Sequence, residues 1–174
     1  MQSLQGLKNV LDRIMTYVLT DQPIKVFEII GFSNEHIKLE ITEVFGFPDA
    51  TSLSGGYDVK CNLEICSGLY RIFTDCYYSC TGALYNFYND LLKCYNNLKG
   101  TAQYKHNYSE NDFDLNIEFT GSGGVTISGK YQDDPVVKNI LYFEFDSDQS
   151  YFKDVLRDLK KIVLQFGDNQ GVKR

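Results

Sequence analysis

Four carboxylates stand in two pairs, Asp112-Phe113-Asp114 and Asp146-Ser147-Asp148, at the i, i+2 spacing that lets acidic side chains share a cation. The first pair falls on the polar face of a strand pattern and the second straddles a strand end and a helix start, so neither is read as a metal site. Gly121-Ser122-Gly123-Gly124 superficially resembles a phosphate loop. Position 126, however, is Thr where a dinucleotide fingerprint needs Gly, and strand patterns flank the run where a helix should follow, which makes it a hairpin turn. His36 and His106 have no ligand-like spacing to each other or to Cys61, Cys66, Cys76, Cys80 and Cys94, and no serine nucleophile has an arguable histidine partner. Tyr77-Tyr78 and Tyr104 could stack a sugar or a base, but aromatic residues on strands more often pack across strands. No catalytic residue, metal or cofactor is expected, and the chain is read as a non-enzyme.

The bulk properties narrow the partners. With 17 Lys and Arg against 23 Asp and Glu, the 174-residue chain carries a net charge of −6. That argues against nonspecific nucleic-acid or anionic-membrane binding, either of which needs a basic patch, and it would favour a basic partner. Hydrophobic residues at 43% and charged residues at 23% are globular values. The 13 Tyr and 12 Phe, with no Trp, suit a sheet-rich architecture. No secretory signal or membrane span is read, and the odd number of cysteines without a C-x-x-C pair fits reduced thiols; a cytoplasmic protein is expected.

The elements that must position these residues follow from hydrophobic period. In Asn139 to Phe166 the period switches from two to about 3.6. Leu141, Phe143 and Phe145 alternate with Tyr142, Glu144 and Asp146. Phe152, Val155, Leu156, Leu159, Ile162, Val163 and Phe166 then form a helical stripe, with Asp148 or Ser147 as cap. A central helix is predicted over Thr81–Leu98, capped by Ser79 or Thr81 and stopped at Gly100. An N-terminal helix is predicted over Ser3–Leu19, ended by Asp21-Gln22-Pro23. Strands are predicted at 24–32, 37–42, 59–65 and 69–73, the last two joined by a Ser67-Gly68 turn, and then at 102–108, 112–120, 125–131 and 139–146. The short loops after the central helix favour a four-stranded antiparallel meander closed by the last helix. The expected fold is α+β: an antiparallel sheet of about six to eight strands with three helices against it. The chain is read as one domain, with residues 1–22 the N-terminal helix, 24–166 the core and 167–174 a flexible tail.

Asn139-Ile140-Leu141-Tyr142-Phe143-Glu144-Phe145, followed by Asp148-Gln149-Ser150-Tyr151-Phe152, resembles the apolar strand and helix start of the WapI family of bacterial immunity proteins. Weaker matches are Tyr57-Asp58 before Asn62-Leu63, Leu98-Lys99-Gly100, and Gly124-Val125-Thr126-Ile127-Ser128-Gly129. The likeness spans about 125 residues, from Ile37 to Val163. It implies an immunity protein that neutralises the toxin domain of a contact-dependent or wall-associated polymorphic toxin without catalysis, with Asp148, Gln149, Ser150 and Tyr151 as family signature. Many such toxins are nucleases with basic faces, and an acidic inhibitor would capture them faster.

The residues themselves suggest where such a partner would bind. If Phe113, Leu115, Ile117 and Phe119 face the core, Asp112, Asp114, Asn116 and Glu118 take the opposite face. Tyr142, Glu144 and Asp146 do likewise on the last strand, giving an acidic surface around a tyrosine. The competing reading is a helix-grip carrier holding a small apolar ligand in a cavity between the C-terminal helix and the sheet. An uncharacterised enzyme ranks behind both.

Overall fold

In the computed structural model, which describes residues 17–107, 112–134 and 136–173, the period-two stretches pair as antiparallel strands. The elements are β1 (Tyr17–Ile30), β2 (His36–Phe45), β3 (Asp58–Ser67), β4 (Tyr70–Cys80), α1 (Thr81–Asn97), β5 (Lys99–Asn107), β6 (Asp112–Thr120), β7 (Gly124–Gln132), β8 (Ile140–Asp148), a short 3-10 turn (Gln149–Tyr151) and α2 (Phe152–Phe166). The expected α+β architecture holds, but its eight strands divide into two sheets, β1-β2-β3-β4 and β5-β6-β7-β8. The second is the predicted meander. Neighbours in sequence are adjacent and antiparallel in each sheet. In the β3–β4 hairpin, for example, Gly68 takes φ +59, a conformation glycine accepts without penalty in a two-residue loop.

The two apolar faces share one core with the helices. Phe27 of β1 meets Phe87 of α1 and Tyr104 of β5 edge-on, and Tyr77 of β4 meets Phe113 of β6. Buried hydroxyls are satisfied across this junction: the Tyr104 hydroxyl lies 2.6 Å from Ser79 Oγ and 3.1 Å from the Tyr77 hydroxyl. α1 packs against β5, and α2 packs against β1 and α1. Six of the seven residues of the predicted α2 stripe, all but Val163, are buried; Phe152 meets Phe119 at 5.3 Å and Phe166 meets Phe47 at 5.2 Å. Aromatic and aliphatic side chains therefore occupy the space in which a helix-grip carrier would hold its ligand.

Several expected details differ. β1 begins at Tyr17, so the last three positions of the predicted N-terminal helix are strand, paired with Phe45, Val44 and Glu43; the rest of that helix lies outside the described residues. Pro23 does not break the chain, because β1 is an edge strand and its register shifts between Leu19 and Ile24, where a missing amide donor is tolerated. β4 continues through Cys80, past the predicted end at Phe73, by way of a register shift at Asp75-Cys76. Cys80 rather than Ser79 or Thr81 then caps α1, its sulfur accepting from the Ala83 amide, while Thr81 Oγ1 accepts from the Tyr57 amide. Leu98, at φ +53, ends α1, and Gly100 already belongs to β5. At the last corner Asp148 is the cap, while Ser147 Oγ donates to the Ile30 carbonyl and ties the two sheets together. Beyond α2, Asp168 Oδ1 accepts from the Gln170 and Val172 amides.

Candidate functional site

β6 presents Phe113, Leu115, Ile117 and Phe119 to the core, so Asp112, Asp114, Asn116 and Glu118 stand on the outer face. The register carries this face across the sheet in rows. Asp112 lies beside Gln132; Asp114 beside Lys130 and then Tyr142; Asn116 beside Ser128 and then Glu144; Glu118 beside Thr126 and then Asp146. The structure thus brings Asp112, Asp114, Glu118, Tyr142, Glu144 and Asp146 onto one surface. Gly129 keeps the sheet close here. A side chain on it would run into the Asp114 carbonyl and the Phe143 ring, which covers it from the core side.

Charge is uneven over this surface. Lys130 Nζ lies 2.6 Å from Asp112 and 3.9 Å from Asp114, and Lys105 lies 3.5 Å from Asp114. The hydrogen bond to Asp112, reinforced by the charges of Asp112 and Asp114, outweighs desolvation and holds Lys130 above the usual lysine range. That end is an ion-paired lattice. At the other end Glu118, Glu144 and Asp146 are exposed, with Asp146 accepting from Thr126 Oγ1 at 3.0 Å. Between them Tyr142 is 71% exposed, beside a shallow groove of about 580 Å³ that also touches Asp114, Ser128, Lys130 and Glu144.

The Asp148-Gln149-Ser150-Tyr151 signature has local work to do. Asp148 Oδ1 accepts the Ser150 amide at 2.8 Å, and its hydrogen bonds from Ser150 hold the carboxyl below the usual range. The Gln149 amide donates to the Gly123 carbonyl at 3.0 Å, fastening the β6–β7 turn to the start of α2. Tyr151 stands edge-on to Phe32 at 6.4 Å. These contacts set the β8–α2 corner, as a cap and turn require.

Among the described residues no group of three or more His, Cys, Asp or Glu is arranged to hold a metal. Cys61, Cys66, Cys76, Cys80 and Cys94 are all free thiols. Cys80 Sγ lies 3.9 Å from His106 Nδ1 at the start of α1, a pairing that in an open cleft would suggest a nucleophile and its base. Here the thiol is buried, and burial pushes its pKa up. Burial also pushes the His106 pKa down, so the pair is poised as neutral groups within the fold.

Period-two reading missed a cluster of exposed apolar residues beside the acidic face: Leu69 at the β3–β4 tip, Tyr70, Phe73 and, opposite them, Ile140. Leu69, Tyr70 and Tyr142 border a recess of about 440 Å³, and Tyr70, Phe73 and Ile140 a cleft of about 640 Å³. The sequence shows Tyr70 and Phe73 as strand residues. Their exposure depends on how the ends of the two sheets diverge, which no local pattern encodes.

The immunity protein WapI-like family matches residues 28–167 of the chain. No curated protein matches it. A solved structure described as the CdiA-CT/CdiI toxin and immunity complex from Enterobacter cloacae contains a chain that aligns with a TM-score of 0.39 and 9% identity, covering 84% of this chain and 99% of that one. A likeness that loose carries no weight for function.

Proposed function

The chain belongs to the WapI-like immunity protein family, and we propose from that membership that it binds and neutralises a cognate bacterial toxin domain by noncatalytic inhibition. The family match over residues 28–167 is the observation that carries this reading. The outer face of β6–β8 supplies a physical counterpart. Tyr142 stands between Asp112 and Asp114, which pair with Lys105 and Lys130, and the exposed Glu118, Glu144 and Asp146, whose charge suits a basic partner such as a nuclease. Exposed carboxylates steer encounter, and a solvent-facing tyrosine among them is a residue type on which interface energy concentrates. Inhibition requires only that the toxin's active site or substrate surface be covered.

Co-expression tests this. Where the neighbouring gene encodes a toxin domain, cells producing that domain should stop growing, and production of this chain should restore growth while the two proteins copurify. Continued arrest despite soluble immunity protein, or rescue without a complex, would overturn binding as the means of protection.

A further inference from the structure

The two sheets end in four edge strands, and the structure treats them in two ways. α2 packs against β1 and α1 against β5. Among the described residues no strand pairs with the outer edges of β4 and β8, and both border the same opening. This cleft of about 640 Å³ is lined by Tyr70 to Thr74 of β4 and by Asn139 to Leu141 at the start of β8, with Tyr131 and Asp133 beside them. Side chains along a strand alternate between faces, so five consecutive residues can all line a cleft only where it runs along the strand's edge.

An open edge is usually blunted by lysine, proline or a bulge, because its unpaired amides and carbonyls invite another strand. On β4 the register shift comes after the cleft, at Asp75-Cys76. Over the cleft the edge carries Tyr70 and Phe73, each 67% exposed, and Leu69 is fully exposed at the hairpin tip. Arg71 is its cation. The carboxylates in and beside the cleft are Asp133 and, in the recess that shares Tyr70, Glu35 and Glu144. A backbone edge flanked by aromatic rings and a surplus of carboxylates matches an extended segment whose side chains alternate between apolar and basic.

We propose that this cleft receives such a segment of the toxin domain, which adds as a strand to the β4 edge at Tyr70–Thr74. The proposal deepens the toxin-binding reading above and rests on it. Main-chain hydrogen bonds to β4 would supply affinity, and side-chain contacts would supply selectivity. Apolar side chains of the segment would meet Ile72 and Leu141, while lysines or arginines would meet Asp133 and Glu144. The acidic face of β6–β8 continues from Tyr142 and Glu144, so strand addition and charge steering use adjoining surface.

Amide hydrogen exchange followed by NMR on the full chain, with and without the toxin domain it protects against in co-expression, tests strand addition. Alternate amides within Tyr70–Thr74, those pointing away from β3, should exchange fast in the free protein and become protected in the complex. The Tyr70→Ser/Phe73→Ser variant alters exposed side chains only and should bind at least about tenfold more weakly. Leu164→Ser, on the exposed side of α2, should bind unchanged. A complex in which those amides exchange as before would overturn strand addition and leave the toxin reading standing. Absence of any complex would overturn both. Protection that appears without toxin and rises with protein concentration would give the edge to a second copy of the chain and overturn the proposal.

Discussion

Replacing Asp158 with asparagine removes one charge from the α2–β1 junction and should destabilise the protein by about 2 kcal/mol at neutral pH. The size follows from the geometry. Asp158 is on the buried side of α2, with a side chain only 5% exposed, and its oxygens lie 3.2 Å from Lys25 of β1, 2.8 Å from Lys161 and 3.6 Å from Arg157. Breaking a fully buried pair costs about 3–5 kcal/mol, because the abandoned partner cannot be solvated. Here the partners are 41%, 64% and 58% exposed and can return to water, and Lys25 also has Glu28 at 3.6 Å. The loss therefore falls between that figure and the ~0–1 kcal/mol of a surface pair. In urea unfolding, with a slope of roughly 2 kcal/mol/M, the midpoint should fall by about 1 M.

The pH dependence gives the sign. Desolvation alone would raise the Asp158 pKa, but the hydrogen bonds and charges of Lys161 and Lys25 outweigh it and hold the carboxyl below its ordinary value. A carboxylate depressed in the folded state contributes stability above its unfolded pKa and loses it as pH falls through the folded value. The gap between wild type and Asp158→Asn should thus be full at neutral pH, shrink below about pH 4 and close in stronger acid. Equal midpoints at neutral pH, or a gap that widens on acidification, would refute this account of the junction.

Leu159→Ala, at a fully buried position on α2, should cost about 2–5 kcal/mol in the same unfolding assay; an unchanged midpoint would mean the wrong helix face is inward. Reducing agent should leave the melting temperature where it is, since all five cysteines are free thiols; a fall on reduction would reveal a disulfide. Glu118→Lys/Glu144→Lys should slow association with the toxin domain and flatten its salt dependence while leaving the fold intact, because both residues are exposed, unlike Asp114, which pairs with Lys105 and Lys130. Stopped-flow association at wild-type rates by the folded double variant would exclude the β6–β8 face as the steering surface.

What could be read from the chain was what local period encodes. Phe113 to Phe119 alternate strictly, and the Phe152–Phe166 stripe keeps its three- and four-residue spacing, so strands, final helix and the facing of Asp114 and Glu144 followed directly. Val18 looked like the end of a helical stripe, yet it pairs with Val44, because sheet pairing overrides a weak local periodicity. The Asp75-Cys76 register shift hid the continuation of β4 by breaking its alternation. Division into two sheets was hidden for a different reason: it depends on which strands pair at a distance, and nothing around Tyr70 or Ile140 records that. The ion pairs of Asp112 and Asp114 needed the β5–β6–β7 register, which places Lys105 and Lys130 alongside.

Titrating a fixed amount of active toxin domain with this protein and assaying the remaining toxin activity tests noncatalytic inhibition most directly. Activity should fall linearly and reach zero at equimolar immunity protein, as expected when each molecule occupies one toxin. Complete loss far below equimolar would show that the protein acts by turnover, and full activity in large excess would show that it does not inhibit this toxin at all.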